Sequence, residues 1–131
     1  MSKDVNVLKL FPGIKGDLIK CAGNIPGLRA IIMESFGSGN APSNKDVKEG
    51  LKAIIDKGII VLNITQCHGG SVEQNKYSNG QYLERIGVIG GEDLTTEAAL
   101  TKLMFLLGKS NDNEEVIKDL KRSLRGEMTI A

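Results

Sequence analysis

A run of six residues, IIVLNI at residues 59–64, constrains the fold of this chain more than any other feature of its sequence. The run is apolar at both odd and even positions for most of its length, which is typical of a central parallel strand covered on both faces. Before it, apolar residues at 47–55 have helical spacing, and Gly58 suits the C-terminal cap of that helix. Together with a second apolar run at 28–33, this order predicts a right-handed βαβ unit.

The rest of the chain extends this unit into one domain. Its 131 residues suffice for one hydrophobic core and are too few for two ordinary domains. We therefore predict an α/β three-layer sandwich around a small, mainly parallel four-stranded sheet, which is a Rossmann-like arrangement. The further predicted elements are strands at 5–10 and 88–89, a helix at 14–23 with Ile14, Leu18 and Ile19 on one face, and helices at 82–86, at 99–107 ended by Gly108, and at 113–125. The pairs Ser43 with Asp46 and Asn111 with Glu114 resemble helix N-terminal caps.

The composition excludes several classes of function. A formal net charge of +1 with scattered basic residues provides no field for nucleic acid, and 4% aromatic residues provide no stacking platform. No apolar stretch approaches the length of a membrane span, and the N-terminus has no signal-peptide core. Cys21 and Cys67 have no CxxC partner, so we expect reduced thiols in a soluble, cytoplasmic protein. His68 is the single histidine and lacks ligand spacing around it, so neither a metal site nor a cofactor is predicted.

Two polar, glycine-rich loops are predicted after two of the strands, ESFGSGNAP at residues 34–42 and TQCHGGS at residues 65–71. Ligands of open parallel sheets bind beyond the carboxyl ends of the strands. Short hydrogen-bonding side chains at that edge suit a small ligand with amide, amine and carboxylate groups. A nucleotide is disfavoured, because Pro42 stands where the dinucleotide pattern needs its third glycine and no P-loop lysine follows. The alternative is that these glycines only turn the chain.

The sequence does not assemble a catalytic site by itself. Cys67 and His68 are sequence neighbours, whereas a nucleophile and its base usually come from separate segments. Thr95 and Thr96 precede a helix and are predicted to cap it, and Lys102, at the edge of the helix stripe, offers no clear activating geometry. With no set of nucleophile, base and oxyanion hole, we expect the chain alone to lack the parts of a complete enzyme.

Five motifs in consistent order and spacing resemble one family. FGSGNAP at residues 36–42 resembles the GxGNxP loop of L-asparaginases, and NITQC at residues 63–67 resembles the strand-end motif of their cytoplasmic, type I branch. GGEDLTTEAALTKL at residues 90–103 resembles the start of a helix in the same family, and YSNG at 77–80 and LRGEMT at 124–129 also match. The resemblance is to the C-terminal domain of the family and covers nearly the whole chain.

The resemblance implies that residues 1–131 are the C-terminal domain of a type I L-asparaginase. The family's N-terminal domain, which carries the catalytic threonines, lysine and aspartate, is absent from these residues, so no catalytic residue is assigned and the isolated domain is expected to be inactive. Family members hydrolyse the side-chain amide of L-asparagine to aspartate and ammonia. Their subunits pair so that the C-terminal domain of one closes the active site of the next. Asn40 is then the substrate-binding residue, and self-association is expected.

The resemblance also implies a candidate effector pocket formed by Glu34, Thr65 and Cys67. In allosteric type I members, a second asparagine binds this domain against a basic residue, a threonine and a cysteine. Thr65 and Cys67 match the last two, but Glu34 replaces the basic residue, so activation by asparagine is not expected. Two alternatives stay open: a free-standing amino-acid-binding regulatory domain and a dimerisation module. The sequence does not decide between asparagine and glutamine as substrate.

Overall fold

The computed structural model describes residues 3–35, 45–65, 78–91 and 94–127. Within these ranges, four strands form one fully parallel sheet in the order β1-β2-β3-β4, which confirms the predicted α/β class. No helix in the described part of the chain has the length and apolar character needed to cross a membrane. The elements are β1 (Val5–Lys9), α1 (Gly16–Ala22), β2 (Ala30–Ser35), α2 (Lys45–Asp56), β3 (Ile60–Thr65), α3 (Ser78–Ile86), β4 (Ile89–Gly90), α4 (Thr96–Lys109) and α5 (Asn113–Glu127).

The strand order determines on which face of the sheet each helix lies. Because neighbouring strands follow one another in sequence, right-handed crossovers place α1, α2 and α3 on one face, and α4 and α5 cover the other. Alternation along each strand supplies both layers with apolar side chains, as the run at 59–64 predicts. The first layer contains Leu8, Leu10, Ile14, Ile19, Ile31, Met33, Val47, Leu51, Ile54, Ile59, Val61, Leu83 and Val88. The second contains Ala30, Ile32, Ile60, Leu62, Ile64, Ile89, Leu94, Ala99, Leu103, Leu106, Leu107, Val116 and Leu120.

Helices α1 and α2 pack closely because glycines lie at their contact. The amide of Gly16 donates to Oδ2 of Asp46 at 2.5 Å, and a Cβ at Gly16 would clash with the Asp46 backbone. A Cβ at Gly50 would lie 3.2 Å from Cβ of Ile19, which is fully buried. The prediction that Leu18 belongs to the apolar face of α1 is wrong. Leu18 is 47% exposed, because the single neighbouring helix buries only a narrow stripe of α1.

Two predicted helix boundaries also differ from the structure. Gly108 does not end its helix: α4 continues to Lys109 and is capped at Ser110, whose amide donates to the carbonyl of Leu106 at 3.1 Å. The N-terminal cap of α5 is Asp112 rather than Asn111, because Oδ1 of Asp112 accepts from the amide of Glu114 at 3.0 Å. In contrast, Gly58 has the predicted role after α2, with φ +86° and its amide donating to Ile55.

The remaining differences are shifts of element ends. Strand β2 covers 30–35 rather than 28–33, β4 covers 89–90 rather than 88–89, and α3 begins at 78 rather than 82. The shift of β2 matters for the site. It places Glu34 and Ser35 inside the sheet as the last two residues of the strand, where their backbones are held by the ladder to β3.

Candidate functional site

The carboxyl ends of the strands form one edge of the sheet, and the N-terminus of α4 lies at the same edge. Lys9, Glu34 and Ile64 are register partners across β1, β2 and β3, one row from the end of β2 and β3. The two predicted loops continue from this edge, since residue 36 follows β2 and residue 66 follows β3. Most of both loops lies outside the described residues, including Asn40, Cys67, His68 and Ser71.

Glu34 is the one predicted site residue whose side chain the structure describes. It is half-buried, and its Oε2 accepts a 2.6 Å hydrogen bond from Oγ1 of Thr96 in α4. The carboxyl group therefore lies at the first turn of a fourteen-residue helix, where the unpaired amides and the helix dipole favour negative charge. The structure thus gives Glu34 a defined partner within the domain.

The two threonines at this helix start have different roles. Thr95 is the N-cap, and its hydroxyl accepts from the amide of Ala98 at 3.1 Å, as predicted. Thr96 is wrongly predicted as a cap: it is the first helical residue, and its hydroxyl donates to Glu34. No sequence signal could have revealed this pair, because 62 residues separate its members and each has an ordinary local explanation.

Ser35 and Thr65 are the last residues of their strands and are register partners. Ser35 is fully buried, and its hydroxyl donates to the carbonyl of Ile64 at 3.1 Å. Of the predicted effector pocket, the structure brings Glu34 and Thr65 to one edge of the sheet on neighbouring strands. They are not register partners, since Glu34 pairs with Ile64. Cys67, the third member, lies outside the described residues.

The connection from β4 to α4 crosses close to the end of β3 at Gly91. Its amide donates to the carbonyl of Asn63 at 2.8 Å, and its own carbonyl accepts from the amide of Leu94 at 3.1 Å. A Cβ at Gly91 would lie 2.7 Å from Cγ2 of Ile64, closer than side chains tolerate. In the sequence, Gly91 stands out only as part of the motif at residues 90–103. The structure shows that a residue without a side chain is needed there.

Other candidate chemistry lies away from this edge. Cys21 is a free, exposed thiol on α1. On the outer surface of α2, Nζ of Lys52 donates to Asp56 at 2.9 Å, and this hydrogen bond raises the pKa of Lys52. Over the ranges that the structure describes, no group of three His, Cys, Asp or Glu side chains could hold a metal ion.

The model of the family described as "Glutaminase/Asparaginase C-terminal domain" matches residues 4–119. L-asparaginase 1 of Escherichia coli strain K12 is 42% identical over 125 residues, covering 95% of this chain and 37% of that protein. The human 60 kDa lysophospholipase is 41% identical over 130 residues, covering 98% of this chain and 22% of that protein.

Solved structures give the same result. The crystal structure of L-asparaginase I from Vibrio cholerae aligns with a TM-score of 0.89 and 40% identity, covering 99% of this chain and 39% of that one. The chain therefore spans less than two fifths of the length of each of these relatives. The fold and the motif order predicted from the sequence agree with these matches.

Proposed function

The chain belongs to the glutaminase/asparaginase C-terminal domain family, and we propose that it acts as the C-terminal domain of a cytoplasmic L-asparaginase. The observation that carries this proposal is the match over residues 4–119, together with 40–42% identity to two proteins named as L-asparaginases. The reaction proposed for the longer protein is hydrolysis of L-asparagine to aspartate and ammonia.

In this proposal the domain closes the active site of a neighbouring subunit and supports self-association. Asn40 supplies the contact, since an amide side chain both donates to and accepts from the polar groups of asparagine without adding charge. Its place in the chain supports this role. Asn40 follows Ser35 in the sequence, and Ser35 ends β2 at the edge where open parallel sheets bind ligands.

The chemistry proposed for the whole protein requires no cofactor. A threonine hydroxyl from the family's N-terminal domain attacks the side-chain amide carbon of asparagine, the C–N bond breaks and ammonia leaves, and water then hydrolyses the resulting ester to release aspartate and restore the hydroxyl.

A subunit-mixing experiment tests this arrangement. One full-length variant lacks the catalytic threonine and retains Asn40, and the other carries Asn40→Ala and retains the threonine. If the C-terminal domain completes the neighbour's site, the mixed dimer contains one site with both groups intact. Two weakly active proteins should then regain asparaginase activity after they are unfolded and refolded together.

The matched control mixes the two variants without unfolding, so that no subunits exchange. Recovery only after refolding together supports the proposal. If each subunit completes its own site, every site in the mixed dimer lacks one group. Activity that stays at the level of the separate variants, with mixed dimers shown to be present, contradicts closure of the neighbouring site.

A further inference from the structure

Strand β1 is the longer of the two edge strands of the sheet. The strand order is β1-β2-β3-β4, and β4 covers two residues whereas β1 covers five. The pairing of β1 with β2 runs from Val5 to Lys9 without a bulge, and the strand contains no proline. Shortness, bulges and prolines are common ways in which proteins protect an edge strand from pairing with another strand. The edge of β1 has none of these three protections.

The outward backbone groups of β1 belong to alternate residues. The carbonyl of Asp4 and the amide of Leu10 both bond to β2, at 3.2 and 2.9 Å. Because backbone groups alternate in direction along a strand, the even-numbered residues between them also face β2. Val5, Val7 and Lys9 therefore direct their amides and carbonyls away from the sheet, and no described residue forms a hydrogen bond to these groups.

Exposed apolar side chains flank this edge on both faces of the sheet. Val7 is 39% exposed and lies on the α4 face, since Val5, two residues before it, packs in that layer. On the opposite face, Leu18 of α1 is 47% exposed. Gly16 and Gly23 are the residues of this segment that contact α2. A helix turns about 100° per residue, so Leu18 points away from α2 and towards the β1 side of the sheet.

We propose that this edge binds a second copy of the same chain, with the two β1 strands antiparallel and Val7 on the twofold axis. In that register Val7 lies opposite the partner's Val7, and Val5 lies opposite the partner's Lys9. Opposed residues of a hydrogen-bonded antiparallel pair exchange both of their bonds, so the outward groups of both strands are all satisfied. The residues that face outward are evenly spaced about Val7, which makes the edge complementary to itself.

The charge on β1 favours this register over the others that keep outward residues opposed. Lys9 is the one charged residue of the strand, and with Val7 on the axis it lies opposite a valine. A register centred on Lys9 would place two ammonium groups opposite each other, which destabilises a strand pair. A register centred on Val5 would leave the outward groups of Lys9 beyond the paired strands. The inference rests on the proposed function, because it assigns a surface to the self-association proposed there.

The experiment measures the association of the full-length protein by sedimentation velocity over a range of concentrations. Val7→Lys places two ammonium groups opposite each other on the axis and should raise the dissociation constant of this interface about tenfold. Val7→Thr keeps an uncharged, β-branched residue and should leave association close to that of wild type. Lys9→Glu is the matched control, because it changes charge on the same face of the same strand but opposite the partner's Val5.

A mixing experiment separates repulsion on the axis from damage to the fold. In a mixture of Val7→Lys with Val7→Glu, an ammonium group of one copy lies opposite a carboxylate of the other. The two variants should therefore associate with each other more tightly than Val7→Lys associates with itself. Circular dichroism confirms that both are folded. Failure of the folded variants to associate on mixing would overturn the pairing, as would a monomeric wild-type protein.

Ammonia release from L-asparagine by the same wild-type sample distinguishes this inference from the proposed function. An inactive wild-type protein contradicts the proposed function, and the association of Val7→Lys still decides the pairing of β1. If the wild-type protein is active and Val7→Lys associates as tightly as Val7→Thr, the pairing of β1 alone is overturned. The same holds if Lys9→Glu weakens association as much as Val7→Lys, because the register is then wrong.

Discussion

The guanidinium of Arg29 donates from Nη2 to Oδ1 of Asn113 at 3.0 Å, across 84 residues of sequence. Its Nη1 donates to the carbonyls of Leu107 and Ser110, and Nδ2 of the Asn113 side chain donates to the carbonyl of Gly58 at 2.6 Å. The half-buried side chain of Arg29 thus satisfies the end of α4 and links it to Asn113 at the start of α5, and Asn113 in turn contacts the turn before β3.

The first prediction is that Arg29→Lys lowers the free energy of unfolding by about 1–3 kcal/mol, because an ammonium group cannot reproduce three bonds made by a planar fork. Urea denaturation monitored by circular dichroism measures it. Arg122→Lys is the control, since Arg122 is exposed on α5. Equal stability of Arg29→Lys and the control would contradict this account of the network.

The second prediction concerns two glycines with opposite expected effects. Gly91→Ala should destabilise the fold by about 1–3 kcal/mol, because the new Cβ has no space beside Ile64. Gly108→Ala should stabilise it by about 0.5–1 kcal/mol, because Gly108 is an exposed residue inside α4. Thermal unfolding of both variants checks the pair. A stabilising Gly91→Ala would show that the β4–α4 connection yields without penalty.

The fold was predictable because patterns of neighbouring residues in the sequence determine most of its elements. The run at 59–64 required two covered faces, and the structure provides one helical layer on each. Gly58 was identified correctly because a left-handed residue after a helix is a local requirement. The end of α4 was mispredicted because its last carbonyls are satisfied by Arg29, a residue remote in sequence, so that the helix passes through Gly108.

The site was less predictable, because its contacts also join residues that are remote in sequence. That the ends of β2 and β3 share one edge of the sheet followed from the predicted parallel strands. The partner of Glu34 did not, since the contact with Thr96 depends on how α4 lies across the sheet. The requirement for glycine at residue 91 was not predictable either, because it arises from the position of Ile64 on another strand.

The third prediction is that Asn40→Ala in the full-length protein lowers kcat/KM for L-asparagine while leaving the unfolding transition unchanged. Loss of one hydrogen bond to a charged ligand is worth about 1.5–3 kcal/mol, or roughly ten- to a hundredfold. Steady-state ammonia release measures this effect, with Asn24→Ala, an exposed residue beyond α1, as the control. An unchanged kcat/KM would remove Asn40 from the site.

The fourth prediction is that L-asparagine does not activate the full-length protein. The resemblance implies that Glu34 stands where allosteric relatives hold an effector's carboxylate, and two carboxylates in one pocket would repel each other. The initial rate against asparagine concentration should be hyperbolic. A sigmoidal wild-type curve would contradict the prediction. A sigmoidal curve in Glu34→Arg beside a hyperbolic wild type would support it most directly.

The central claim is that this chain contributes a domain to an L-asparaginase whose nucleophile lies in another domain. The most direct measurement compares ammonia release from L-asparagine by the purified full-length protein and by residues 1–131 alone, at equal molar concentration. The account predicts turnover by the full-length protein and none above the buffer rate by residues 1–131, confirmed as folded by circular dichroism. Ammonia release by residues 1–131 alone, or none by the folded full-length protein, would contradict it.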